Sequence, residues 1–192
     1  RTGVGKVFIC TPNANFRPME LIGIDSKLED LKSCLKEVNV VVAGPGLNEE
    51  ADEHLHLVWK SKLPMVLDAY GLRWLAQNSL PKRTNNWIGT PHYGETIELL
   101  GKDKTESNRF IQLSLLNKIY GGQWILKGPG TLVGPNPTYV NNFANGILAT
   151  AGTGDVLAGI AGGMIAHGYS KAGALATYIH SESARKILAQ KA

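Results

Sequence analysis

Short apolar, β-branched runs alternate with segments of helical period along the whole chain, and few folds accept that alternation. Val38–Ala43 reads Val-Asn-Val-Val-Val-Ala, as expected of a strand covered on both faces. Val7–Cys10, Met65–Leu67, Trp87–Gly89 and Gln123–Lys127 read as further strands, with shorter ones near Leu132 and Thr138. Leu28, Leu31 and Leu35 have helical spacing, with Asp25 or Ser26 as N-cap. Glu49–Ser61, Leu72–Gln77 and Thr105–Tyr120 follow as helices, and two more, about Asp155–His167 and Lys171–Gln190, close the chain. The order predicts an α/β fold with a mostly parallel central sheet flanked by helices. No repeat, low-complexity tract or linker divides the 192 residues, so one domain over 1–192 is expected.

With 43% apolar and 19% charged residues, the chain is neither disordered nor built mainly of solvated helices. A net charge of +4 arises from 20 basic and 16 acidic residues that are interspersed. That balance suits anionic small molecules and does not call for nucleic acid. No window approaches the ~18 apolar residues of a membrane span. Cys10 and Cys34 lack metal-site spacing and read as reduced, buried thiols of a cytoplasmic protein.

In open α/β sheets, ligands lie beyond the carboxyl ends of the strands, so the turns there carry the functional reading. They are Gly44-Pro-Gly-Leu, Asp68-Ala-Tyr-Gly-Leu, Thr90-Pro-His-Tyr-Gly-Glu, Lys127-Gly-Pro-Gly-Thr and Ala151-Gly-Thr-Gly-Asp. Gly152, Thr153 and Gly154 open an almost wholly apolar helix, where free N–H groups can cradle a transferring phosphoryl group. Asp155 in that first turn is either a carboxylate favouring the helix dipole or a base for a substrate hydroxyl. Lys127, Gly128, Pro129, Gly130 and Thr131 form either a tight turn or a loop that a nucleotide approaches, with Lys127 as a point charge on phosphate. His92 and Glu95 are either a helix start or groups facing substrate and hydrated Mg²⁺.

Other motifs fail on chemistry. In Gly3-Val-Gly-Lys6-Val, Val follows the Lys where a phosphate loop needs Ser or Thr. No Gly-x-Gly-x-x-Gly follows a strand. His54 and His56 lack the i,i+4 spacing of zinc ligands and read as surface residues, His180 reads as packed or capping, and the four Trp read as core or interface.

The ordered set Gly44-Pro-Gly-Leu, Asp68-Ala, Thr90-Pro-His-x-Gly-Glu, Lys127-Gly-x-Gly-Thr and Gly152-Thr-Gly-Asp-Val-Leu-Ala-Gly resembles the ADP/ATP-dependent NAD(P)H-hydrate dehydratases, of the ribokinase-like superfamily. Gly-Thr-Gly-Asp is shared widely across that superfamily, whereas His92 is the more discriminating residue. The resemblance covers nearly the whole chain and implies a three-layer fold and a repair reaction. Hydrated NADH or NADPH is phosphorylated on its ring hydroxyl by ADP or ATP with Mg²⁺, and phosphate then leaves to give NAD(P)H. It implies Asp155 as the base, Gly152–Gly154 as phosphoryl cradle and Lys127–Thr131 with Gly154 as nucleotide site. It further implies Gly46, His92 and Asp155 at the hydrated cofactor, Glu95 near the metal through water, and a homo-oligomer, often a tetramer.

Three departures stand out: Tyr70 where the family has a second Asp, Ala151 where it has Gly, and no strand and glycine-rich turn ahead of Arg1. A protein lacking that strand and turn would lose part of its sheet and substrate site. Two other readings fit the residues: a ribokinase-like small-molecule kinase acting on a carbohydrate or vitamin precursor, and a non-catalytic nucleotide-binding module.

Overall fold

The computed structural model describes residues 2–11, 18–106, 108–143 and 146–190. Strands β1 (Phe8–Cys10) and β2 (Ile22–Ile24) form a parallel pair of their own. The main sheet runs in chain order through β3 (Val41–Ala43), β4 (Met65–Leu67), β5 (Arg83–Gly89), β6 (Gly121–Leu126), β7 (Thr131–Gly134) and β8 (Tyr139–Asn141). The pairs from β3 to β6 are parallel, while β7 and β8 turn back antiparallel. This is the mostly parallel α/β sheet expected from the alternation.

Side chains alternate across a strand, and here the alternation builds two cores. Met65, Leu67, Trp87, Trp124, Leu126 and Leu132 face one side. They meet α1 (Leu28–Cys34), α2 (Asp52–Lys60), α3 (Tyr70–Gln77), α4 (Tyr93–Leu100) and α6 (Arg109–Tyr120), with the short α5 (Lys102–Thr105) leading into α6. Val66, Ile88, Ile125 and Val133 face the other side, under α7 (Thr153–Ala166) and α8 (Ala172–Ala189). The four tryptophans are core, as one chain of edge contacts: Trp74 to Trp59 at 6.0 Å, Trp59 to Trp87 at 5.5 Å and Trp87 to Trp124 at 5.1 Å between centroids.

Several local expectations need correction. β3 closes one end of the main sheet, and its cover is uneven: Ala43 is buried on one face, whereas Val42, against α7 on the other, stays 41% exposed. Lys27, not Asp25 or Ser26, occupies the N-cap of α1, with no side-chain cap bond. The helix expected from Glu49 starts as a 3-10 turn, Glu49–Ala51, with the Asn48 side chain accepting from Glu50 N, before α2 begins. The helix expected from Thr105 starts at Arg109, where Asn108 caps it. His54 and His56 are half-buried, His54 against the Ser26 carbonyl and His56 edge-on to Trp74 at 5.0 Å, and are not free surface groups. Cys34 is buried and Cys10 half-buried, both as free thiols.

The ends of β3 and β4 lock together. Asp68 N donates to Ala43 O at 3.1 Å, and Gly71 N donates to Asp68 O at 2.9 Å. Gly44 sits at φ +122°, where a Cβ would fall 1.7 Å from the Asp68 carbonyl oxygen. Gly44→Ala must therefore both enter a strained backbone region and push the β4 end away. The expected loss exceeds ~3 kcal/mol, above the cost of positive φ alone, measured by urea unfolding. A loss near zero would contradict this packing.

Candidate active site

The turns after β4, β5 and β6 and the start of α7 come together at the carboxyl end of the sheet. Asp68 follows β4, and its side chain is 2% exposed. Its Oδ1 accepts from Lys127 Nζ at 2.8 Å, bringing the residue after β6 against the residue after β4. Lys127 Nζ also lies 3.6 Å from Glu95 Oε2. A Cβ on Gly154 would sit 3.4 Å from Lys127 Nζ and 3.7 Å from Asp68 Oδ2, so the first turn of α7 stands directly over this ion-pair network.

A left-handed glycine opens that turn. Gly152 is the N-cap in the left-handed region at φ +85°, with open space where a Cβ would be. Thr153 Oγ1 donates to the carbonyls of Leu148 and Thr150, at 2.8 and 2.7 Å, and Thr153 N also faces Thr150 O. The Thr153 hydroxyl is thus spent on the preceding turn. The first helical bond is Val156 N to Gly152 O, which leaves the amides of Gly154 and Asp155 at the helix start, where the dipole favours negative charge. Asp155 is exposed beside them.

His92 and Glu95 form a capping box on α4. Glu95 N donates to His92 Nδ1 at 3.2 Å, and His92 N donates to Glu95 Oε2 at 2.7 Å. With Nδ1 accepting, the neutral ring carries its proton on Nε2, which lies 3.6 Å from Glu95 Oε1 on a side chain that is 59% exposed. The helix-start reading of these residues is therefore realised, and the same box holds Glu95 against Lys127. Gly46 lies in the loop after β3 at φ +70°, with nothing near its absent Cβ.

Tyr70 points elsewhere. Its hydroxyl donates to Asp52 Oδ1 at 2.8 Å, and burial first, then the Asp52 carboxylate, push the phenol up to about 12. It lines a cleft of about 450 Å³ with Leu47, Asn48, Glu49, Glu50 and Arg73. No carboxylate replaces the missing acid on α3 itself.

His180 packs from α8 against the backbone of Thr153 behind the cradle; burial lowers its pKa from 6.5, and the Thr153 bond offsets this in part. Because the unfolded chain takes up that proton first, stability is full above about 6.5 and falls as pH drops below it. His180→Gln is expected to flatten that part of the pH dependence of urea unfolding; an unchanged acid limb would contradict it.

Sequence reasoning gave Asp68 no role, although a lone carboxylate ending the buried run Met65-Val-Leu has to find a partner. It also passed over Arg109. In a helix expected from Thr105, Arg109 falls past the first turn; only the observed start at Arg109 sets this cation against the dipole, where it calls for another partner.

A mostly parallel α/β sheet flanked by helices on both faces is the ribokinase-like arrangement. The fold superposes on a ribokinase-like superfamily protein of Enterococcus faecalis with a TM-score of 0.86, at 23% identity, covering 97% of this chain and 71% of that one. The family model for NAD(P)H-hydrate dehydratase matches residues 1–192, and the chain belongs to that family. It is 37% identical over 198 residues to the bifunctional NAD(P)H-hydrate repair enzyme Nnr of Coxiella burnetii, covering 96% of this chain and 40% of that protein. The chain thus spans less than half of that relative's length. It also resembles the ADP/ATP-dependent NAD(P)H-hydrate dehydratase of Bacillus subtilis, co-crystallised with ATP/Mg²⁺ and soaked with CoA. That match has 26% identity and a TM-score of 0.78, covering 96% of this chain and 73% of that one.

Proposed function

We propose that this protein dehydrates hydrated NADH or NADPH back to NAD(P)H, using ADP or ATP as phosphoryl donor. The observation that carries the reading is the convergence of Gly154 on the Asp68–Lys127–Glu95 network, with the Lys127–Thr131 loop beside it. A carboxylate, Asp155, stands next to the cradle as proton acceptor for the ring hydroxyl. The hydroxyl oxygen bonds the terminal phosphorus as the bridging P–O bond breaks, AMP or ADP leaves with that bonding pair, and the hydroxyl proton passes to Asp155. The C–O bond then breaks, phosphate leaves with the bonding pair, and a ring proton is lost to restore the dihydronicotinamide. Gly152 and Gly154 hold the phosphoryl oxygens, Lys127 to Thr131 line the nucleotide, and Gly46 and the His92 Nε2–H contact the hydrated ring and its amide.

Mg²⁺ fits this donor set. Among the described residues no group of three or more His, Cys, Asp or Glu is arranged to hold a metal ion, but Mg²⁺ needs only one or two carboxylates beside waters and phosphates. Glu95 would reach it through water, and the ion would neutralise phosphate charge.

The reading treats residues 1–192 as one ribokinase-like domain of a cytoplasmic protein that assembles with itself. Two free cysteines support the location. Among the described residues no helix is long and apolar enough to cross a membrane. Exposed Val156, Tyr169, Tyr178 and Ile187 support the assembly. The partners it implies are small-molecule nucleotides, with neither nucleic acid nor membrane among them.

The test is to follow dihydronicotinamide absorbance from chemically hydrated NADH and NADPH, with Mg²⁺ and either ADP or ATP. Recovery that depends on the nucleotide is the expected result and identifies the donor. No recovery with either nucleotide would overturn the reading.

A further inference from the structure

The loop that the proposed function gives to the nucleotide is held from behind by one side chain. Arg109, in the first turn of α6, donates from Nη1 to Pro129 O at 2.7 Å and to Gly130 O at 3.0 Å. From Nη2 it donates to Leu126 O at 2.7 Å and to Lys127 O at 3.3 Å. The one carbonyl left between them, Gly128 O, accepts from Thr131 Oγ1 at 3.0 Å. Every carbonyl from Leu126 to Gly130 thereby accepts from a side chain.

The amides follow from that. Lys127 N is taken by Pro91 O at 2.8 Å, and Pro129 has no N–H. Among the described residues no acceptor is paired with the amides of Gly128 or Gly130, which sit at φ +139° and +63°. These two amides, one on each side of Pro129 and with the neighbouring carbonyls tied off, are the donors left for an anion. The guanidinium adds positive charge behind the loop.

We propose that Arg109 is the positioning residue of the nucleotide loop: its fork gathers four carbonyls and presents the Gly128 and Gly130 amides to the phosphates of a nucleoside di- or triphosphate. Arginine suits this task because its fixed planar fork reaches several acceptors at once, whereas lysine offers a single ammonium centre. The helix dipole opposes a cation in this turn, so the contact with the loop is what accounts for it. The proposal rests on the nucleotide reading of the loop given above.

The experiment measures ADP and ATP binding with Mg²⁺ by calorimetry, and steady-state constants on hydrated NADH, for the wild type, Arg109→Lys, Arg109→Gln and Arg109→Ala. Arg109→Gln is expected to raise the nucleotide KM and Kd by ~10-fold or more, the equivalent of losing one or two charge-assisted hydrogen bonds. The KM for hydrated NADH stays put, and kcat at saturating nucleotide changes little. Arg109→Lys recovers only part of the affinity. Millimolar guanidinium, well below denaturing levels, restores nucleotide affinity to Arg109→Ala. Wild-type nucleotide affinity in a folded Arg109→Gln would overturn the proposal, as would a joint fall in kcat and both affinities that neither lysine nor guanidinium relieves. Where Arg109→Gln does not fold, the lysine variant and the guanidinium rescue decide. A wild-type protein that binds neither ADP nor ATP would overturn the nucleotide reading itself, a failure distinct from wild-type binding with indifferent variants.

Discussion

Asp155→Asn is expected to lower turnover ~10²- to 10⁴-fold while ADP affinity stays within a small factor of the wild type, the usual cost of removing a positioned proton acceptor. The side chain is exposed in the first turn of α7, so the isosteric amide neither empties a core site nor alters the backbone at Gly152 and Gly154. A carboxylate there stabilises the helix by only ~0.3–1 kcal/mol. That loss is too small to unfold the protein, so a large fall in turnover reports chemistry. Single-turnover kinetics beside ADP titration checks both halves. Near-normal turnover would remove Asp155 from the mechanism.

Lys127→Met is expected to cost both stability and turnover. Asp68 is 2% exposed at the side chain and Lys127 20%, so the pair is largely out of water. Removing one member of a buried pair strands the other charge, at ~3–5 kcal/mol, whereas replacing both can be nearly neutral. Urea unfolding should therefore show a large loss in Lys127→Met and recovery of most of it in Asp68→Asn/Lys127→Met, with turnover absent in both. Equal stability of the single and double variants would show that the pair is not what holds these loops together.

The fold was legible because side-chain period and turn chemistry agree. Met65-Val-Leu and Trp124-Ile-Leu each send alternate residues to opposite cores, as an apolar run bounded by turns implies. The separation of β1 and β2 from the main sheet was not legible, since nothing in a three-residue strand specifies its neighbour. Nor was the tryptophan chain. Gly89 makes room for Trp124 and Gly122 for Trp87, with a Cβ at either position falling 2.4 Å from the ring, and no periodicity announces that.

Of the site, the glycine-led turns could be read because a chain that must approach an anion has few alternatives to glycine. The partners of the charged groups could not, because pairing depends on which strand ends adjoin. Asp68 and Lys127 are 59 residues apart and meet only once β4, β5 and β6 lie side by side. Arg109 and its loop likewise meet only because α6 packs on β6 and β7. The resemblance supplied residue roles, while the structure supplied the ion-pair network and the loop's support.

The most direct test of the central claim counts two products in one sample of protein, Mg²⁺, nucleotide and hydrated NADH: free phosphate and recovered dihydronicotinamide. The account predicts that the two appear together, one for one, with no phosphorylated dinucleotide accumulating. A stable phosphorylated product without recovered absorbance would make this a kinase, and nucleotide binding with neither product would make it a non-catalytic module; either result would contradict the account.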